Sequence, residues 1–575
     1  MANLVAPINK LQPYEEKILE FKGLNKRSYI EDGEMPDMLN LSLDDYPLLS
    51  VRKPRGEFIM NPEIVKPLQI ISRHDRLAIL ATDSEGDVHF YYDNNKIDSV
   101  TGLSTSSWMV AINTKICFFP EKKYVEIIPE GASYRIGNVG DLEASEELSA
   151  VTLTISNEDA RITVPAGHGF KYDDAINVRG TLSYTAGSSA KTADANVSCI
   201  IEQIVDTNTI VMPRESFIEL TGEGATGITF TGTIGRTMPD LDFVTEWNNR
   251  LWGASNADNT VYACKLGDPT NWQYFQGTGL DSYYAQQGTD GLWSGVGVYS
   301  GHIIFFKPNG MCRIYGTAPS NFQVTNAKCF GVEDGSRLSV VTINDVVYYK
   351  SSIGIMAYSG GTPVCISEKL GTEFANVVGG SEGQKYYASV QRTGQDGGFS
   401  LVVYDIEKGI WLKEDAGRIR NCCNADGRLH VVEYSGEQLV CGNNIFPGPY
   451  LVCGDGNEQG KIYILNPVDP TENYEEVEWM AMFGPFHEYL ETKKIYSKLS
   501  LRLKANGKSS ANVYISLDEG EWELVKAYSS AETGGAVIPI IPRRCDRYSI
   551  KIEGKGNCEI VSLTRRARAG TFGRL

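Results

Sequence analysis

The chain has 575 residues, too many for a single hydrophobic core, so about two to four structural units are expected. A composition of 42% hydrophobic and 22% charged residues is that of a folded chain and excludes intrinsic disorder. The formal charge of -18 excludes a protein that coats nucleic acid, because affinity for phosphates comes from accumulated Lys and Arg.

No apolar run approaches the roughly 20 residues that cross a bilayer, so no membrane span is expected. The run from Val340 to Tyr349 is interrupted by Asn344 and Asp345. The first twenty residues carry Glu15, Glu16 and Glu20 and lack the basic-then-apolar order of a signal peptide, so none is expected there. The 12 cysteines form neither a small disulfide framework nor paired CxxC halves. They are read as buried small side chains of a protein made in a reducing cytoplasm.

Residues 1–66 read as an extended N-terminal arm. Pro36, Pro47 and Pro54 interrupt any long helix, and the run NLSLDDYPLLSVRKPR ends at Arg55. Only Tyr14 to Phe21 has the apolar spacing of a helix.

From Leu68 the pattern becomes short alternating runs rich in Val, Ile, Tyr and Phe, separated by Gly, Asp and Asn. These are strands joined by tight turns. Residues 67–141 hold two such units. Residues 142–235 are poorer in aromatics and richer in Thr, Ala and Gly, and read as an inserted small β-barrel or sandwich. His168, beside Gly169 and Phe170, falls in a turn there and is read as structural.

The first rhythm returns over residues 236–467. FVTEWNNRLWGAS, VGVYSGHIIFFKPNGMCRIYG, SVVTINDVVYYKSSIGIMAYSGG, FSLVVYDIEKGIWLK and GRLHVVEYSGEQLVCG share one plan, an apolar strand, a polar turn and a second strand. Units of about 30 to 50 residues built this way predict about six to eight propeller blades, with closure using strands from both ends of the region. The charged run Asp469 to Glu478 reads as a linker or exposed crossing. Residues 468–575 then alternate like the strands of a β-sandwich with a basic end. The fold class predicted is all-β: a β-propeller with an inserted small β-domain and a C-terminal β-sandwich.

The chain is not expected to be an enzyme, and no catalytic residue, metal ligand or cofactor is assigned. His74, His89, His168, His302, His430 and His487 never occur at a paired ligand spacing, and no phosphate-binding glycine loop or nucleophile elbow is found. Glu246, Asp290, Asp334 and Asp405 read as turn or strand-end acids. Ser516, Asp518, Gly520 and Trp522 resemble the Asp-box of sialidase-type propellers, a hairpin device in which Gly is expected to take the positive φ and Trp to pack beneath.

WNNRLWGAS from Trp247, VYACKLGDPTNW and IIFFKPNGMCRIYG resemble blades of bacteriophage tail proteins. GVEDGSRLSVVTINDVVYYKSSIGIMAYSGGTPVCIS adds to the likeness. So does the order Trp479, Phe483-Gly484-Pro485, Asp518-x-Gly520-x-Trp522, Arg543-Arg544-x-Asp546-Arg547-Tyr548 and a basic end. Together these segments resemble the packaged-DNA stabilisation and tail-nozzle family of short-tailed phages, over most of the chain outside residues 142–234.

The resemblance implies a virion protein, assembled in the host cytoplasm into a ring, often sixfold, below the portal and adaptor. It extends the DNA channel and retains the genome until ejection. The implied partners are further copies of the chain, the portal and adaptor proteins, tail fibres or spikes, and the DNA that passes through. In such a ring Asp281, Asp290, Glu333 and Asp334 are expected to face the channel, where an acidic lumen limits sticking. Arg565, Arg566, Arg568 and Arg574 are the expected contacts with DNA or a neighbouring subunit. Two other readings stand beside it. One is a carbohydrate-binding propeller that stacks sugars on Trp252, Trp272, Trp293 and Trp411. The other is a sialidase-like glycosidase.

Overall fold

The computed structural model describes residues 14–165, 168–393, 398–435, 459–487, 494–505, 507–529 and 534–569. Strands dominate, and among the described residues the α-helix is the short Glu215–Thr221. The fold is all-β, a β-propeller with an inserted β-domain and a C-terminal sandwich. Among the described residues, seven four-stranded sheets are its blades. The chain divides into two compact units, Met60–Val347 with Tyr358–Pro363, and Met1–Ile59 with Tyr348–Ala357 and Val364–Leu575.

The first unit holds four complete blades, each a meander in which every strand pairs with the next in sequence. The first is Lys66–Arg73, Arg76–Thr82, Val88–Tyr92 and Asn95–Lys96. Trp108–Ile112, Lys115–Phe119, Lys123–Glu130 and Ser133–Asp141 form the second. The third comprises Phe243–Trp247, Arg250–Ser255, Thr260–Ala263 and Tyr283–Gln286. Gly295–Tyr299, His302–Lys307, Gly310–Tyr315 and Gln323–Lys328 make the fourth.

Two-residue turns set the register. His74 and Asp75 lie at φ 50° and 57°, Asp93 and Asn94 at 50° and 65°, and Asn248 and Asn249 at 50° and 59°. Two consecutive positive φ values match the right-handed twist of the strands they join, and Asn and Asp tolerate them best after Gly. Between the blades the faces fill with large side chains, Trp247, Trp252 and Trp293 packing with Ile303 and Phe305 from the third and fourth. Trp252 is fully buried and meets Phe322 edge-on at 5.1 Å between ring centroids.

The inserted domain is a seven-stranded sheet that carries Ser189–Ile200, Ala175–Ala186, Thr226–Arg236, Ala144–Ile155, Asp159–Thr163, Thr209–Pro213 and Gln203–Ile204 in spatial order. It wraps a core that includes Leu153, Ile162, Val178, Leu182, Met212, Phe217 and Phe230. Gly180 and Gly232 face each other across two strands, and a Cβ on either would lie 2.2 Å from the other strand's backbone. Glycine permits this close approach of the two strands. A buried ion pair within the domain sets Arg236 Nη1 2.6 Å from Asp174 Oδ2, and Arg236 Nη2 donates to the Asp141 carbonyl of the second blade at 3.1 Å. The Asn271 side-chain oxygen accepts from the Ala175 amide at 2.9 Å.

The fifth blade is Val341–Ile343, Val346–Ser351, Gly354–Tyr358 and Val364–Cys365, and the unit boundary falls inside it. The second unit holds the sixth, Phe374–Glu382, Lys385–Arg392, Phe399–Asp405 and Ile410–Lys413. In the seventh, Ile419–Ala425, Arg428–Ser435 and Gln459–Ile464 take their fourth strand, Gly56–Glu57, from the N-terminal segment.

That N-terminal segment adds short strands to several sheets. Tyr14–Ile18 is a strand on Cys558–Ala569, and Leu41–Ser42 and Leu49–Val51 extend the same sheet beside Lys494–Ala505 and Gly534–Cys545. Asp37–Leu39 edges the other sheet of the sandwich, Glu478–Phe486, Tyr548–Lys555, Ser510–Leu517 and Glu523–Ser529. The helix expected over Tyr14 to Phe21 is therefore overturned. Glu15 and Glu16 sit opposite Arg566 and Arg565, and this cross-strand pairing outweighs a marginal helical spacing. If the segment is core, Leu49→Ala, at a fully buried position, should cost about 2–5 kcal/mol, read as a lower urea midpoint of unfolding; an unchanged midpoint would mean a loosely tethered arm.

Candidate functional site

Three groups of side chains bear on function, and two of them were not legible in the sequence. The expected channel acids are not equivalent. Asp281 is buried, and its carboxylate accepts from the amides of Gln276, Gly277 and Thr278 at 3.0, 2.7 and 3.1 Å and from the Thr278 hydroxyl at 2.8 Å. Burial pushes this carboxyl up, but the donors win and hold it below its usual range. It closes a loop and cannot act as a free channel acid, which corrects that expectation. Asp290 and Asp334 are exposed and Glu333 is half-buried. Of the other acids, Glu246 accepts from the Asn249 amide at 2.8 Å, and Asp405 from the Lys408 ammonium at 2.6 Å.

The basic end, as far as Ala569, lies in the strand Cys558–Ala569. Arg565 is buried, donates through Nη2 to both carboxylate oxygens of Asp32 at 2.8 Å, and covers the Phe486 ring at 4.0 Å. It is spent inside the sandwich and cannot reach DNA. Arg566 Nε lies 3.7 Å from Glu15 Oε2, and Arg568 is in register with Ile495. Arg574 lies outside the described residues.

Trp252, Trp272, Trp293 and Trp411 are all buried, between 0% and 3% exposed. His168 is buried, accepts from the Phe170 amide through Nδ1 at 2.8 Å and stacks on the Phe170 ring. In the Asp-box-like hairpin Ser516 donates to the Gly520 carbonyl at 2.7 Å, while Asp518 accepts from the amides of Asp546 and Arg547. The positive φ angles fall on Asp518 and Glu519, at 50° and 60°, and not on Gly520, which corrects the reading of that turn. Trp522 stays half-buried and carries the Lys551 ammonium 5.4 Å above its ring.

The second group is an ionic cluster around Arg55. Its guanidinium meets Asp415 Oδ2 at 2.6 Å, Glu414 Oε2 at 2.9 Å and Glu433 Oε2 at 3.9 Å. Glu472 accepts from Arg52 at 2.8 and 3.0 Å and from the Arg55 amide at 2.8 Å. The run Asp469 to Glu478 is accordingly not a loose linker, since Glu472 anchors it to the N-terminal segment. Burial, then the Asp415 charge, push the Glu433 carboxyl above the usual carboxylate range against the pull of Arg55. Burial also raises Glu472, but the Arg52 hydrogen bond and the neighbouring charges leave it below that range.

The third group lines a cavity of 690 Å³ in the third and fourth blades and the loops around them, with Asp290, Trp293, Lys307, Met311, Asn326 and Lys328 among its walls. Lys307 ends the strand HIIFFK and is 4% exposed. Its ammonium donates to Asn259 Oδ1 and to the Thr289 carbonyl, both at 2.7 Å, and stands 4.5 Å from the centre of the Trp293 ring. The only signal for it in the sequence was a lysine closing an apolar strand, which reads first as a surface residue.

No family model and no curated protein matches the chain. Among solved structures it is similar to an exo-β-1,3-galactanase of Phanerochaete chrysosporium with galactose, at 10% identity and a TM-score of 0.22, covering 56% of this chain and 94% of that one. For Hsv2 of Kluyveromyces lactis the figures are 14% and 0.25, covering 44% and 70%. The Aleuria aurantia lectin with Fucα1-6GlcNAc gives 12% and 0.21, covering 62% and 96%. Likenesses at these TM-scores carry no inference about activity.

The two glutamates of the ionic cluster give opposite pH signatures. Glu433 has a folded pKa above its unfolded one, so its contribution is fully present at acid pH and is lost as pH rises through the folded value. Glu433→Gln should therefore raise the urea midpoint at neutral pH and leave it unchanged in acid. Glu472 has the reverse sign, with stability lost as pH falls through its folded pKa. Glu472→Gln should cost about 1–3 kcal/mol at neutral pH, because Arg52 loses its charged acceptor. The same sign for both substitutions at neutral pH would overturn this assignment.

Proposed function

We propose that the chain is a structural, non-catalytic subunit of a bacteriophage tail. Copies of it form a ring that extends the DNA channel below the portal and adaptor proteins and helps to retain packaged DNA until ejection. The observation that most supports this reading is where the chain spends its charged and aromatic side chains. Of the tryptophans that a glycan-binding propeller would present, Trp252, Trp272 and Trp411 are buried, and Trp293, itself buried, borders a cavity. Asp281, Asp405 and Glu246 close turns, and the Asp-box-like hairpin holds its own loop.

The sheets carry loops at their ends, and a ring subunit can use such loops for a repeated contact. A heterologous contact repeated about an axis closes into a ring without any new chemistry. The blade patterns that resemble the tail-nozzle family lie in the segments that form the third to fifth blades, and its C-terminal pattern lies in the sandwich strands. The ring would be assembled in the host cytoplasm, often sixfold, with tail fibres or spikes as further neighbours. Exposed acids such as Asp290 and Asp334 would line the passage, with Glu333 beside them.

Negative-stain electron microscopy of the purified protein, alone and mixed with the portal and adaptor of its virion, tests the proposal. Rings with a central channel are expected, whereas monomers that bind neither partner would sink it. In assembled particles, Asp334→Lys should slow ejection relative to the parent, since an added positive charge holds the DNA backbone; unchanged kinetics would remove Asp334 from the channel wall.

A further inference from the structure

Lys307 presents a problem of charge. A buried ammonium is costly unless paired, yet no carboxylate stands within ion-pair distance of this one among the described residues, and its two acceptors are a neutral amide and a carbonyl. A lysine ammonium has three donors, and two are used here. Burial holds its pKa below the ordinary lysine value, with Asp290 raising it only as a lesser influence. The group is nevertheless firmly placed. Asn259, at a positive φ of 58°, accepts from Lys307 and donates to the carbonyls of Gln287 and Thr289 at 2.6 and 3.0 Å. Asn326 joins the same loop through the Gln287 side chain at 3.1 Å.

This held cation is part of the wall of a cavity whose 690 Å³ is the size of a small-molecule site. Met311, Cys312 and Ala327 give it an apolar side, and burial pushes the Cys312 thiol up to about 12, which leaves the sulfur uncharged at neutral pH. Thr289, Asn309 and Asn326 supply neutral polar groups, and Lys328 adds a second positive charge at the exposed edge.

We propose that this cavity binds a small hydroxylated carboxylate, a sugar acid, with its carboxylate on the Lys307 ammonium. The carboxylate would supply the missing counter-ion and take the third donor, and the amide and hydroxyl side chains suit the ligand's hydroxyls. A single buried lysine favours a monoanion over a phosphate, for which paired guanidinium groups are the better match. Asp290 at the rim disfavours a second negative charge on the ligand. The site stands independently of the ring assembly proposed above, because all its residues belong to one copy of the chain.

Isothermal titration calorimetry of the full chain at low salt with glucuronate, glucose and inorganic phosphate is the test. Saturable binding of glucuronate without binding of glucose is expected. Lys307→Met should weaken it at least about tenfold, as loss of a charge-assisted hydrogen bond does. Because that variant removes a buried side chain, Asp290→Asn serves as the second one. It lies on an exposed loop and should tighten glucuronate binding by about two- to fivefold through loss of a like charge, a gain that misfolding cannot mimic. Absence of glucuronate binding, equal binding of glucose, tighter binding of phosphate, or an Asp290→Asn variant no tighter than the parent would each overturn the assignment.

Discussion

The ionic contact at Arg55 is where the beginning of the chain is fixed to its later parts. Its guanidinium is shared by Glu414, Asp415 and Glu433, its amide donates to Glu472, and its carbonyl accepts from the amides of Thr471 and Glu472. The next two residues are the outer strand of the seventh blade, and the preceding ones pair in the sandwich. Both sheets would otherwise expose an unpaired edge, the usual liability of β-structure. Four carboxylates around two arginines leave an excess of negative charge, and the raised Glu433 is its consequence. The cluster thus fixes the path of the segment at some cost, as buried ion pairs commonly do.

A similar economy operates in the inserted domain, where Arg236 and Asp174 are almost wholly buried and paired. Asp174 also accepts from the Lys171 amide at 2.7 Å, and Asn271 of the third blade donates to it at 3.4 Å. Burial raises the Asp174 carboxyl even so, the Arg236 charge opposing it. Breaking either partner would leave an uncompensated charge in an apolar setting, so the geometry is specified more tightly than hydrophobic packing alone would require.

The blades were legible because their signal is local. An apolar run, a pair such as Asn248-Asn249 or Asn344-Asp345, and a second run define a hairpin without reference to distant residues, and both pairs carry two positive φ angles. The N-terminal strands were not legible, because runs of two or three residues have no measurable period and their partners lie far along the chain. Asn40 donates to the Glu478 carbonyl across 438 positions. The candidate site fared similarly. That Trp252 and Trp411 are blade core follows from composition and alternation, whereas the use of Asp281 by three amides depends on loop geometry that no spacing encodes. Lys307 was hidden for the opposite reason, since its local context is plain and its neighbours come from other strands and loops.

The net charge of -18 is therefore a poor map of the surface field. Many acids are already engaged at short range. Asp83 accepts from the amides of Glu85 and Asp87, Asp206 from that of Asn208, and Asp518 from those of Asp546 and Arg547. Such carboxylates sit where turns are tight, at the ends of strands, with their oxygens turned to backbone amides. Asp83 does this in a blade, Asp206 in the inserted domain and Asp518 in the sandwich, so one turn chemistry serves all three.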